Sequence, residues 1–171
     1  MRKNTIALGL LAALITAPVF AGTATGNLTV QATVVATCSL NTSASTGAGN
    51  GLLNFGNVTS TLANVDADTT TSGNYGVSVV CTNTTPYSVT ANNGLNASGS
   101  QDNMKSGTAL LPYNLYTTSA RTTVFPTSGT SLGFTGNGTA QAIPVYGRIP
   151  AGTTLPAPGT YTDTVVLTIA Y

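Results

Sequence analysis

The chain has 171 residues and almost no charge, with 5 Lys and Arg, 4 Asp and Glu, no His and no Trp. So few cations cannot neutralise a row of phosphates, which argues against nucleic-acid binding, and without His an ordinary Ser or Cys nucleophile has no base. The length allows one domain behind a leader, and solubility has to come from Thr, Ser and Asn.

The leader comes first. Met1-Arg2-Lys3 is followed by an apolar run over 6–15 and then by Ala17-Pro18-Val19-Phe20-Ala21. A basic start, a short apolar stretch and a small-residue end describe a secretory signal peptide, with cleavage expected after Ala21. The run is too short for a spanning helix, which takes roughly 20 apolar residues. The product is therefore expected to pass through the periplasm, to act outside the cell and not to span a membrane. Residues 1–21 are read as signal peptide, 22–37 as an N-terminal extension and 38–171 as a single domain.

The extension holds the best-patterned stretch of the chain. In TGNLTVQATVVATC (25–38), Leu28, Val30, Ala32, Val34 and Ala36 share one side of an extended chain. Asn27, Thr29, Gln31, Thr33 and Thr37 share the other, and Val35 is the exception. Alternation alone more often marks an internal first strand than a strand lent to another molecule. Cys38 follows, and with Cys81 it makes two cysteines in an exported chain, which predicts one disulfide. No C-x-x-C is present, so the bridge is read as structural.

No stretch beyond the leader sustains a helical apolar period. Strands are predicted over 27–36, 52–58, 75–81, 87–91, 113–116, 131–134, 141–149 and 160–171. Turn-forming clusters at 46–51, 92–94, 126–129, 136–138 and 156–159 separate most of them. The polar stretch 96–108 is read as a surface loop. Many short strands at this spacing predict an all-β, immunoglobulin-like sandwich. The last strand mirrors the first: Tyr161, Val165, Leu167, Ile169 and Tyr171 share one face with Asp163.

Four motifs carry a resemblance. LLNFGNV (52–58), YNLYTTSARTTVF (113–125), IPVYGRIPAG (143–152) and GTYTDTVVLTIAY (159–171) are similar in order and spacing to the spore coat U family, which includes the archaic, Csu-type chaperone–usher pilins. The resemblance implies an incomplete immunoglobulin-like β-sandwich completed by a donor strand from a neighbouring subunit. It implies a structural pilin of a surface-attachment and biofilm pilus, with a periplasmic chaperone, an outer-membrane usher and identical or related pilins as partners. Carried over to these residues, Leu28, Val30, Ala32 and Val34 would fill the groove, with Ala36 near its exit. Val165, Leu167, Ile169 and Tyr171 would belong to the acceptor strand. The alternatives are a minor pilus subunit or spore-coat-type protein of the same fold, and a complete, monomeric carbohydrate-binding sandwich.

The remaining candidates point away from chemistry. Asp66 and Asp68 in NVDADT are read as solvated loop residues; their spacing resembles a calcium loop but lacks its further ligands. No catalytic residue, metal or cofactor is expected. Arg121 and Arg148 are each read as capping a turn or pairing with Asp66, Asp68 or Asp163. Tyr75, Tyr87, Tyr113, Tyr116 and Tyr146 are read as core or rim residues before they are read as a sugar platform.

Overall fold

A computed structural model describes residues 21–42, 51–71, 76–127 and 129–171. The proposed signal peptide, apart from Ala21, lies outside these residues, as does Tyr75. The chain divides into a segment ending at Thr33 and a body from Val34 to Tyr171. Over 21–33 the first segment has no ladder, and its side chains are exposed. The alternation of 27–36 is thus real as a pattern but makes no strand here. A period of two marks an amphipathic extended chain; it does not supply the partner whose hydrogen bonds would make that chain a strand.

The body is all-β, with ten strands among the described residues: β1 Cys38–Thr42, β2 Val65–Asp68, β3 Val77–Cys81, β4 Pro86–Ala91, β5 Asp102–Ser106, β6 Ala109–Tyr116, β7 Leu132–Thr135, β8 Ala140–Ile143, β9 Tyr146–Ile149 and β10 Leu167–Ala170. They form three antiparallel sheets, ordered β1-β3-β8, β10-β4-β7 and β2-β9-β6-β5. Inward residues from all three sheets meet in one core. Val79 comes from β3, Val89 from β4, Tyr113 and Leu115 from β6, Ile143 from β8 and Ile149 from β9. Burial alternates residue by residue along β3, β4 and β6, as a sheet with one buried face requires.

Four departures from the sequence reading have local causes. The stretch 141–149 is two strands, because Pro144 cannot donate to a ladder. Ahead of it β8 pairs with β3; beyond it β9 pairs with β2 and β6. The stretch 52–58 is no named strand, yet Leu53, Phe55 and Val58 pack against the core from an irregular run. The polar 96–108 region is not all loop: β5 pairs with β6 through a two-residue turn at Gly107-Thr108, where Gly107 has φ 57°. Asp66 and Asp68 stand on β2 and not in a loop. Aspartate is a poor strand former, but Arg148 lies directly across from Asp66 and supplies the cross-strand charge pair that offsets it.

Cys38 and Cys81 face each other across β1 and β3, with Cα atoms 4.1 Å apart, and are joined by a disulfide. Tyr87 and Tyr113 are buried. Tyr87 stacks on Phe134 with centroids 5.2 Å apart, and Phe55 meets Tyr113 edge-on at 6.4 Å. These two tyrosines therefore serve the core. No helix among the described residues is long and apolar enough to cross a membrane.

Candidate functional site

The last stretch of chain changes sheets as it runs. Thr162 pairs with Lys105 on β5, each backbone N–H donating to the other's carbonyl at 2.8 and 3.2 Å. Four residues later the segment has moved to Asn92, whose N–H donates to Val166 O at 3.0 Å and whose Oδ1 accepts from Val166 N at 2.8 Å. It then becomes β10, with Leu167 opposite Ala91 and Ile169 opposite Val89.

Asp163 fixes the crossing point. Its Oδ2 accepts from Tyr113 Oη at 2.6 Å. Its Oδ1 accepts from Leu95 N at 3.0 Å, Asn96 N at 3.2 Å and Asn96 Nδ2 at 3.0 Å. Gly94 is required beside it, since its φ is 77° and a Cβ there would run into the Asp163 carboxylate. Burial, together with this bond, pushes the Tyr113 hydroxyl well above its usual range. The anchor of the last strand is thus a carboxylate satisfied by backbone, the Asn96 amide and a phenol, not an ion pair.

Beyond this anchor, β10 is the edge of its sheet, paired with β4 alone among the described strands. Val165, Leu167 and Ile169 pack against the core yet stay half-exposed, while Tyr171 is 65% exposed. Strand β1 is likewise an edge, and its Cys38 and Leu40 lean half-buried on the same core. Among the described strands β7 is an edge as well, with Leu132 and Phe134 half-buried. Strands β10 and β1 are thus two of several open edges whose apolar side chains are not fully covered, the situation that invites strand addition. At the other end of the sequence Leu28, Val30 and Val34 are 87%, 85% and 82% exposed, and Ala32 and Ala36 are also exposed. Exposed aliphatic side chains at every second position of an extended run are costly to leave in water.

A match covering most of the sequence accompanies this geometry. The Spore Coat Protein U domain family matches residues 24–168. The chain belongs to the spore coat protein U family. It is 37% identical over 130 residues to Protein U of Myxococcus xanthus, which spans 71% of this chain and 72% of that protein. Its fold is similar, with a TM-score of 0.52 and 25% identity, to a chain in the crystal structure of the CsuC–CsuE chaperone–tip adhesion subunit pre-assembly complex from the archaic chaperone–usher Csu pili of Acinetobacter baumannii. That likeness covers 81% of this chain but 40% of the solved one. An immunoglobulin-like β-sandwich is the architecture consistent with both the sheets and this neighbour.

Arg121, Arg148, Asp66 and Asp68 serve the spore coat U domain internally. Arg148 holds Asp66 with two bonds, Nε to Oδ1 at 2.7 Å and Nη2 to Oδ2 at 2.8 Å. Arg121 reaches the same carboxylate at 3.4 Å and donates to the carbonyls of Ser119, Ala67 and Gly147. The Arg148 bond keeps the Asp66 carboxyl below its usual range, with both guanidinium charges assisting. Asp68 accepts from Thr70 and Thr71 and is held low chiefly by the Thr70 hydroxyl. The role of Asp163 and the sheet change before β10 could not be read from sequence. Only the lone acid among Thr and Val in TYTDTVV marked the place.

Asp102, opposite Tyr113 on β5, is pushed up from 3.8 to about 6, first by burial and then by the nearby Asp163 charge. A carboxyl raised by folding binds its proton more tightly in the folded state, so its contribution is favourable below about pH 4 and is lost as pH rises through about 6. Asp102→Asn should therefore raise the melting temperature at pH 7–8 and leave it nearly unchanged at pH 3.5. Thermal melts across pH 3.5–8 check this; an equal shift at both ends removes titration as the cause.

Proposed function

We propose that this chain is an exported structural subunit that polymerises by donor-strand complementation into an archaic chaperone–usher pilus serving surface attachment and biofilm formation. Leu28, Val30, Ala32 and Val34 fill the groove of the next subunit, with Ala36 at the exit. Val165, Leu167 and Ile169, with Tyr171 at the end, form the acceptor side. The observation that carries the reading is the coexistence, in one chain, of an exposed alternating apolar extension and a body whose β10 edge leaves apolar side chains half-covered. Family membership and the likeness to a chain of a chaperone–subunit complex support it.

The reading assigns an order of events. A periplasmic chaperone covers the open edge first, and at the outer-membrane usher the extension of an incoming subunit replaces it. Backbone hydrogen bonds give affinity in such strand addition, and alternate side chains give register. The contact is head-to-tail and does not close, so it propagates as a filament. No step is covalent, and the polar, charge-poor surface suits a protein packed against copies of itself.

The full chain, exported together with its chaperone and usher, should give a ladder of SDS-resistant multimers that collapses on boiling. A synthetic peptide of residues 22–37 in excess should cap the ladder at short lengths. A stable monomer that neither ladders nor takes up the peptide would end this reading.

A further inference from the structure

The backbone just ahead of β1 is held by one side chain. Thr82 N donates to Thr37 O at 2.9 Å, which carries the β1–β3 ladder one residue beyond the Cys38–Cys81 pair. The Thr82 hydroxyl then stands in for the next residue of β3. Its oxygen accepts from Thr37 N at 3.2 Å, and its single proton has Val35 O at 3.1 Å and Thr37 O at 3.4 Å as acceptors. Residues 35–37 are therefore fastened to their own body although their side chains are exposed.

The mount for this hydroxyl is stiff. Cys81 precedes it, buried and disulfide-bonded. Thr85 N donates to Thr82 O at 3.1 Å, closing a tight turn in which Thr84 takes a φ of 65°. Gly136 braces that turn, accepting from Thr84 N at 2.9 Å and donating to Thr85 O at 2.8 Å. A Cβ at Gly136 would come within 2.5 Å of Thr82 O and 2.6 Å of Cys81 Cβ, so the brace lies directly against the turn.

We infer that Thr82 sets the boundary of the donated strand: residues 22–34 go to the neighbour, and Ala36 stays with its own body. This rests on the donor-strand reading above. Delivering Ala36 into a neighbour's groove would break the bonds to Val35 and Thr37, and a single methyl buries too little apolar surface to offset them. Thr82 is then a positioning residue. It leaves no slack between the last donated side chain, Val34, and the disulfide, so successive subunits are coupled through a short clamped root.

The test compares Val34→Asp with Ala36→Asp in the full chain, exported with chaperone and usher. Both positions are exposed, and a urea midpoint confirms that each variant is folded. Val34→Asp should cut SDS-resistant polymer at least tenfold, and Ala36→Asp should stay within twofold of the parent. An equal loss from both puts Ala36 in the groove and overturns the boundary, with the donor-strand reading intact. Full polymer from Val34→Asp overturns it from the other side. Full polymer from Leu28→Asp as well sinks the donor-strand reading itself, and the boundary with it. A second arm reads the clamp directly. Thr82→Val should keep polymer yield but at least double the spread of angles between successive subunits in electron micrographs, and Thr82→Ser should restore it. An unchanged spread in Thr82→Val overturns the positioning role.

Discussion

Val30→Asp, and equally Leu28→Asp, should abolish polymer formation while leaving the single subunit folded and able to bind its chaperone. Both side chains are more than four-fifths exposed, so the body does not depend on them. In a neighbour's groove each aliphatic side chain contributes about 1.5–3 kcal/mol. Asp forfeits that and adds the cost of taking a carboxylate out of water with no cation to meet it. The sparse charge makes this second cost severe. Arg121 and Arg148 are both engaged with Asp66, no cation stands on β10 or in the segment leading to it from Thr160, and Lys105, across from Thr162 on β5, is exposed to solvent. A combined loss above about 3 kcal/mol is more than a hundredfold in the association constant. Sedimentation of exported material, with chaperone pull-down as the control, measures both halves. Normal polymer from either variant would show that the extension is not what joins subunits. Val30→Ile, which keeps the apolar face, should assemble normally.

The parts of the fold visible in the sequence are those whose local pattern and partner coincide. VSVVC, YSVTA and YNLY alternate and lie in central strands buried on one face, so periodicity and structure agree there, although β6 begins at Ala109, four residues before the predicted start. Where a residue's state depends on a distant partner, the sequence reading fails. VDAD is a strand because Arg148 lies across from it, and DNMKS is a strand because β6 folds back on it through Gly107-Thr108. The extension shows the converse: its pattern is the cleanest in the chain, yet over 22–34 it has no ladder within one molecule. The candidate site was legible as two apolar faces, 28–36 and 165–171. Missing were the sheet change at Thr162–Val166, the Asp163 anchor and the Thr82 clamp. All three are built from hydrogen bonds between residues 45 to 74 positions apart, which leave no local periodicity to read.

Removing the disulfide by Cys38→Ser with Cys81→Ser should have the largest effect on the body's own stability. The bridge closes a loop with a sequence separation of 43 and joins edge strand β1 to central strand β3, with Cys81 buried in the core. Its absence releases chain entropy in the unfolded state worth about 4 kcal/mol in the loop-closure description. For a body of this size that corresponds to a melting temperature lower by about 8–16 °C. Reduced parent protein should melt with the double variant, and reductant should not move the variant further. The loss should also reach assembly, because β1 carries the root of the extension: without the covalent tie, Thr37 is held at Thr82 by hydrogen bonds alone. The double variant should therefore form less polymer at 37 °C than its melting curve by itself accounts for, and Cys38→Ser alone should behave like the double variant. A variant melting within 2 °C of the oxidised parent would mean that the β1–β3 ladder holds this edge without help from the bridge.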